Sequence, residues 1–155
     1  MSTSTVTALL ERHRFFAGIP ERMAVTIGEF ALERKYAMEE MILRQGEPAD
    51  NVYLVCSGLV SVELYAPGRD PVVVEGLGAG DVVGWSWLCP PYRWSFDARA
   101  VEPSTLIDID AAGLRARFEV DPALGYEVLR RFVPVMARRL SSARERMVEC
   151  EIDRS

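Results

Sequence analysis

The sequence predicts a mainly β protein, a barrel or sandwich of short strands with helices at both ends. Three observations support this. Short β-prone runs fill residues 31–110, with turn residues about every 8–12 positions, as all-β domains have. Segments with helical spacing of apolar residues precede and follow that region. The chain has 155 residues, of which 49% are hydrophobic and 26% charged, which favours one domain with its own core.

Two short helices are predicted before the first strand, within residues 5–30. Residues 5–14 carry apolar side chains near helical spacing, and the Gly-Ile-Pro segment at 18–20 ends that helix. Residues 21–30 repeat the spacing with Met23, Ile27 and Phe30.

The β region contains seven runs: FALERKYAM, EMILRQ, NVYLVCSG, LVSVELYA, PVVVEGL, FDARAV and TLIDID. The segment Ala66–Pro71, rich in Pro, Gly and Asp, predicts a hairpin loop between two of them. Asp108 and Asp110 alternate with isoleucines in the last run, a pattern typical of a solvated strand face.

After Asp110 the apolar period changes to that of helices, over residues 111–150. A short helix is predicted at 111–119. Asp121 followed by Pro122 then predicts the start of a long helix, because Asp caps and Pro is tolerated at the first helical position. Pro134 should kink this helix, because proline has no N–H to donate to the Arg130 carbonyl.

The long helix carries an apolar seam with heptad spacing. Its residues are Leu129, Val133, Met136, Leu140, Ala143 and Met147. Such a seam either packs on the helix's own barrel or joins two copies of the chain. We expect a homodimer through this seam.

Charge and composition narrow the classes of function. The net charge of −5 argues against sequence-specific nucleic acid binding, which requires a basic surface. No apolar run is long enough to cross a membrane, and the N-terminus lacks the pattern of a secretory signal. The three scattered cysteines form no zinc motif and suggest free thiols in the cytoplasm.

The sequence offers few residues that could catalyse a reaction or bind a metal. His13 is the only histidine, lies far from the cysteines, and is expected on the solvated surface. Without a base near a nucleophile, we expect a protein that is not an enzyme and holds no metal. Cys89 has Arg93 nearby, which is compatible with a redox role, but a buried inert thiol is the commoner case.

Three segments, in order, resemble the cyclic-nucleotide-binding domains of the catabolite activator protein/FNR superfamily. They are GEPADNVYLVCSGLVSVE at Gly46–Glu63, GLGAGDVVG at Gly76–Gly84, and DPALGYEVLRRF at the start of the long helix. The resemblance implies an eight-stranded jelly-roll-type β-barrel, or double-stranded β-helix, at 31–110. N-terminal helices at 5–30 and C-terminal helices at 111–150 would flank it, in a single domain spanning 1–155 without a DNA-binding domain.

The segment GWSWLCPPYRWSFDARA at Gly84–Ala100 corresponds to the family's phosphate-binding cassette but departs from it. Gly84 matches the family glycine. Trp85 stands where the family has the Glu that accepts from the ribose hydroxyl, and Trp94 where it has the Arg that pairs with the phosphate. Asp97 would place a negative charge near a bound phosphate. Pro90-Pro91 should end the cassette's short helix by Cys89. Neither cAMP nor cGMP is therefore the expected ligand.

Three interpretations of this segment remain open: a modified pocket for a small effector, a former pocket plugged by indole rings, and a surface for a partner protein. The candidate ligand-binding residues are Gly84, Trp85, Ser86, Trp87, Tyr92, Arg93, Trp94, Ser95, Phe96 and Asp97.

The segment Gly84–Ala100 also resembles the corresponding segment of a bacterial subgroup of single-domain members. That subgroup is associated with redox-enzyme gene clusters, including hydrogenases. We expect a cytoplasmic regulatory or sensory module that signals through its C-terminal helix. Its expected partners are a second copy of itself and an unknown small-molecule effector, a partner enzyme, or both. The alternatives are a ligand-free scaffold docking on a redox enzyme and a true cAMP or cGMP receptor that uses Arg93.

Overall fold

The computed structural model describes residues 2–154; positions 1 and 155 of the predicted domain lie outside the described residues. The helices are α1 (Ser2–Arg12), α2 (Glu21–Gly28), α3 (Ala111–Val120) and α4 (Pro122–Arg154). The strands are β1 (Ala31–Tyr36), β2 (Met41–Leu43), β3 (Asn51–Ser57), β4 (Val60–Leu64), β5 (Val72–Leu77), β6 (Asp97–Ala100) and β7 (Ser104–Asp110).

The strands form two antiparallel sheets, one with the order β1-β7-β3 and the other with the order β2-β6-β4-β5. Apolar side chains from both sheets and from the helices join in one buried core. Leu54 and Ile107, paired across β3 and β7, are completely buried there. The predicted jelly-roll fold with a long C-terminal helix is confirmed.

Each of the seven β-prone runs contains one strand. Strands β3, β4 and β7 are largely buried, whereas most of β1 and β5 is exposed or half-buried. Among the described residues there is no eighth strand in the assigned sheets. Residues 80–83 take its place beside β3. Val55 N donates to the Asp81 carbonyl (2.8 Å) and Val83 N donates to the Tyr53 carbonyl (2.9 Å). Only Leu54 and Val82 form a bridge there, because the segment bends away into the cassette.

Helix α4 begins as predicted. The Asp121 carboxylate accepts from the Leu124 N–H at 3.3 Å and so caps the first turn. The helix continues through Pro134 to Arg154, beyond the predicted end near residue 150. Its barrel-facing side is apolar, with Val128 and Phe132 each 1% exposed. This packing fixes α4 across the barrel.

The prediction that His13 is solvated is wrong, since the side chain is buried. Its Nδ1 accepts from the Phe15 N–H at 3.1 Å, so Nε2 carries the proton and donates to the Val55 carbonyl at 2.7 Å. The imidazole thereby caps a 3-10 turn at Arg14–Phe16 and ties it to β3. Burial lowers the pKa of His13, although the bond to Val55 acts in the opposite direction.

The solvated face predicted for β7 is also wrong at Asp108, which is buried, whereas Asp110 is exposed. The reason is that β7 lies between β1 and β3, whose side chains Tyr36 and Tyr53 flank Asp108. The Tyr36 hydroxyl donates to the Asp108 carboxylate at 2.7 Å. Burial raises the pKa of Asp108, and the bond from Tyr36 offsets part of that effect.

Candidate functional site

A cavity of about 400 Å³ lies between the second sheet, the cassette and α4. It is a size that suits a small ligand. Its lining residues come from β4, β5, the cassette and α4: Val62, Val74, Glu75, Val83, Trp85, Ser86, Ser95, Phe96, Arg139, Ser142, Ala143 and Arg146. Apolar walls with a few polar groups are typical of sites for small organic molecules.

Arg139 joins α4 to the wall of this cavity. Its Nη1 donates to the Val83 carbonyl at 3.0 Å, and its Nη2 donates to the Val82 carbonyl. The guanidinium also forms an ion pair with the Glu75 carboxylate, with 3.2 Å between Nε and Oε1. The same group lies over the Trp85 ring, 5.5 Å from its centroid. One side chain therefore links the helix to β5 and to the cassette.

The Arg139 side chain is 12% exposed, so its charge is largely removed from water. Burial lowers its pKa, and the Glu75 carboxylate offsets part of that effect. Arginine nevertheless stays protonated in proteins, so the cavity contains a buried cation balanced by one carboxylate and two carbonyls. A ligand that competes for Glu75 or for Arg139 would disturb the attachment of α4.

The three tryptophans of the cassette have different surroundings. Trp85 is half-buried and lines the cavity. Trp87 is fully buried, with its ring 5.6 Å from that of Phe132 and 6.1 Å from that of Phe118. Trp94 is also buried and packs against Tyr53 at 6.0 Å. Two indoles thus fill the core, and one remains available to a ligand.

Gly84 is covered by aromatic rings. A Cβ at this position would lie 2.8 Å from the Phe96 ring and 3.1 Å from the Trp94 ring. Glycine is therefore needed for close packing. The rings occupy the space next to the cassette backbone, and Phe96 also forms part of the cavity wall.

Three further candidates lie outside the cavity lining. Arg93 is exposed and donates to the Gly46 carbonyl at 2.8 Å. The Asp97 carboxylate accepts from the Gln45 N–H at 2.8 Å and does not line the cavity. Tyr92 lies beneath the Arg115 guanidinium, 4.1 Å away. Ser86 and Ser95, by contrast, do line the cavity.

The short cassette helix is a single 3-10 turn, Ser86–Leu88, which ends at Cys89 as predicted. The Arg115 side chain of α3 holds it by donating to the Trp87 carbonyl at 2.7 Å. The cassette is thus anchored to α3 through Arg115 and to α4 through Arg139.

Sequence reasoning missed the polar residues that α4 and β5 contribute to the cavity: Glu75, Arg139, Ser142 and Arg146. A signal for Arg139 was present. The buried side of α4 runs through Val128, Phe132 and Val135, and the next position at the same spacing is Arg139. A charged residue on a buried helix face requires a partner, which indicates a site.

The seam residues of α4 lie on a different face from the barrel contacts. Leu129, Val133, Leu140 and Met147 are 43%, 60%, 53% and 68% exposed. Met136 is half-buried and packs against the core, and Ala143 lines the cavity. The barrel therefore leaves four of the six seam residues uncovered.

A jelly-roll barrel with a cassette turn and a long helix over a cavity defines a regulatory ligand-binding domain. Residues 33–121, more than half of the chain, match the family described as Cyclic nucleotide-binding domain. The chain belongs to this family.

Individual relatives agree. The CRP-like cAMP-activated global transcriptional regulator of Mycobacterium tuberculosis is 23% identical over 132 residues. That match covers 85% of this chain and 57% of the relative, so the chain spans little more than half the length of that protein.

Solved structures show the same fold. A protein of Geobacter metallireducens described as a cyclic nucleotide-binding protein has a TM-score of 0.75 and 26% identity, over 90% of this chain and 98% of that one. The catabolite activator protein of Thermus thermophilus has a TM-score of 0.68 and 26% identity, over 90% of this chain and 62% of that one. Within residues 2–154, no helix is both long and apolar enough to span a bilayer.

Proposed function

We propose that this chain is a regulatory module that binds a small effector other than a cyclic nucleotide in the cavity beneath α4. The supporting observation is the cavity itself, which joins the cassette to α4 through Arg139. Two buried indoles have not closed it, which argues against a plugged site.

The cassette offers a poor site for a cyclic nucleotide. Trp85 replaces the family's ribose-binding Glu, and an indole has one N–H donor and no acceptor. Arg93, the nearest cation in the sequence, is turned toward the Gly46 carbonyl. Aromatic rings cover Gly84, which matches the family's cassette glycine. The buried cation of the cavity, Arg139, is already engaged by Glu75 and by two backbone carbonyls, so a phosphate would have to displace these partners to gain a paired cation.

The cavity favours a small ligand with an apolar or aromatic body and a few polar groups. Val62, Val74 and Phe96 form apolar wall, and the partly exposed Trp85 offers a flat face for stacking. Ser86, Ser95 and Ser142 supply hydroxyls.

The signal would pass through α4. Arg139 belongs to α4 and attaches the helix to the cavity wall. An effector whose affinity differs between the attached and the detached helix would therefore shift the position of α4. We further propose that two chains associate through the exposed seam of α4, so that a helix shift reaches the second copy.

Native mass spectrometry of the purified chain tests the proposal. We expect a small molecule to co-purify with the wild-type protein. It should be absent from the Trp85→Ala variant, because that variant lacks the indole ring that lines the cavity. The alternative outcome is that the chain purifies without a small molecule and in complex with a redox enzyme. If the Trp85→Ala variant binds that enzyme as well, the result favours the scaffold function instead.

The genuine cyclic-nucleotide receptor remains the second candidate, because a relative is described as cAMP-activated. It predicts that cAMP binds and that Arg93→Ala abolishes the binding. If the chain is instead the module proposed above, neither the wild-type protein nor the Arg93→Ala variant should bind cAMP.

A further inference from the structure

A second concave surface lies on the other flank of α4, where four arginines converge. This cleft of about 620 Å³ is formed by the 3-10 turn after α1, the turn at residues 80–82 and the middle of α4. Its lining residues are Arg14, Phe15, Ala17, Gly80, Asp81, Val82, Arg130, Arg131, Pro134, Val135 and Arg138. We propose that it binds a small, multiply charged phosphate anion.

The cleft is locally positive on an acidic protein. The chain carries a net charge of −5, yet the four guanidinium groups face one lining carboxylate, Asp81. Glu127, just outside the lining, pairs with Arg130 and Arg131. Four cations against two carboxylates leave a positive excess, and a concave wall concentrates its field.

Of the four arginines, Arg131 is held in place, and Arg14 lies against the turn at Gly80 with its side chain 70% exposed. Arg131 is 9% exposed and donates to the Ala17 carbonyl at 3.0 Å, which holds α4 against the 3-10 turn. Arg14 is positioned by a close approach to the turn at Gly80. A Cβ there would lie 2.9 Å from the Arg14 guanidinium carbon, and Gly80 has a φ of +93° that favours glycine.

Other guanidinium donors remain available. Among the side chains that the structure describes, those of residues 5–154, Arg138 forms no ion pair with a carboxylate and no hydrogen bond. In the hydrogen bonds of the described side chains, Arg130 uses only its Nε, toward Glu127 at 2.9 Å, and its guanidinium also lies 6.0 Å from the centroid of the Tyr126 ring. Arg14 uses only its Nη2, toward Asp81 at 3.0 Å. Each guanidinium has five N–H donors, so most of those on these three arginines are free for a ligand.

This arrangement matches phosphate chemistry. Guanidinium groups bind phosphate oxygens in pairs of parallel hydrogen bonds, and several arginines at one site favour an anion with more than one charge. The free donors come from both walls of the cleft, Arg14 on one and Arg130 and Arg138 on the other, so one ligand can bridge them. Pyrophosphate, free or as part of a nucleotide, has the required charge.

The site is separate from the effector cavity and from the seam. The two cavities share no lining residue. With 3.6 residues per turn, Arg130, Pro134 and Arg138 lie on a different flank of α4 from Leu129 and Leu140. A dimer through the seam therefore leaves the cleft open.

Calorimetric titration of the full chain with pyrophosphate, at constant ionic strength, tests the proposal. We expect saturable binding near one ligand per chain. The double variant Arg14→Gln/Arg138→Gln should bind at least about tenfold more weakly, since it loses two charged donors. Arg144→Gln, an exposed arginine of α4 outside the cleft, should bind as the wild type does.

Because Arg14 and Arg138 are both exposed, we expect the variants to fold, and thermal melts check this. Absence of binding, or equal binding by the double variant, overturns the proposal. Loss of pyrophosphate binding in Trp85→Ala would place the anion in the effector cavity instead. Tighter binding of a hexaglutamate peptide than of pyrophosphate would identify the cleft as a surface for an acidic protein.

Discussion

At the residue scale, the structure assigns different roles to neighbouring and chemically identical side chains. Trp85, Trp87 and Trp94 lie within ten residues of one another, yet only Trp85 lines the cavity. The division depends on Phe118 and Phe132, which come from α3 and α4 and surround Trp87. Local sequence therefore locates the segment that borders the cavity but does not say which indole lines it.

The substitution Gly84→Ala adds one methyl group and so tests the close packing around Gly84. Gly84→Ala should lower the free energy of unfolding by about 1–3 kcal/mol, because the new Cβ would overlap the Phe96 ring. Urea unfolding gives the value. Gly76→Ala is the matched control, since its Cβ would meet only Leu59 at 3.8 Å, an ordinary contact. Equal stability of both variants would contradict the packing described for Phe96.

The buried imidazole of His13 predicts a dependence of stability on pH. Burial lowers its pKa in the folded state. As the pH falls below about 6.5, the unfolded chain takes up a proton that the folded chain does not, so acid destabilises the fold. The loss is at most about 1.4 kcal/mol per pH unit for one proton.

Urea unfolding at pH 7.5, 6.5 and 5.5 measures this slope. We expect His13→Gln to be less stable at pH 7.5, because it disturbs the bonds to Val55 and Phe15, but to have a shallower pH slope. Other acidic groups, Asp108 included, contribute equally to both proteins. Identical slopes would show that His13 does not titrate as its burial requires.

At the scale of elements, α4 has three distinct flanks. One packs on the barrel and carries Arg139, one carries the exposed apolar seam, and one borders the arginine cleft. The heptad pattern was visible in the sequence, but it did not show which stripe faces the barrel.

The Arg139 attachment predicts a loss of stability that a neighbouring arginine does not share. Arg139→Met leaves the Val82 and Val83 carbonyls without this donor and Glu75 without its ion pair. We expect a cost of about 1–3 kcal/mol, as for other unsatisfied buried acceptors. Arg144→Met, on the exposed part of α4, should change stability by less than about 0.5 kcal/mol. A negligible effect of Arg139→Met on the melting temperature would count against the attachment.

The seam predicts an oligomeric state. Leu140→Glu places a charge in the middle of the proposed interface and should convert a dimer to monomers in sedimentation equilibrium. Leu32→Glu, at a similarly exposed leucine of β1, should leave the dimer intact. A monomeric wild-type chain, or a dimeric Leu140→Glu, would rule out this interface.

Cys150 offers an independent readout, because it follows Met147 at the spacing of the seam and is exposed. In a parallel dimer the two Cys150 thiols face each other, so diamide should oxidise them to an intermolecular disulfide. Cys150→Ser should remove this product on a non-reducing gel, whereas Cys89→Ser should retain it.

At the scale of the whole molecule, the sequence predicted the architecture except for an eighth strand, whose place residues 80–83 take. Short β-prone runs between turn residues located the seven strands, and Asp121-Pro122 located the start of α4. Polar residues in buried places were not predictable in the same way. Asp108 and His13 are buried because Tyr36 and Val55, distant in sequence, supply their partners. Arg139 was missed because the sequence did not show which face of α4 is buried, although Arg139 continues the spacing of that face.

Isothermal titration of the full chain with cAMP and with cGMP tests the central claim most directly, that a domain of this fold has exchanged its cyclic-nucleotide contacts for a different cavity. The account predicts no saturable heat for either nucleotide up to millimolar concentration, because Arg93 faces Gly46 and aromatic rings cover Gly84. Saturable binding at micromolar concentration, lost in Arg93→Ala, would contradict it and make the chain a cyclic-nucleotide receptor.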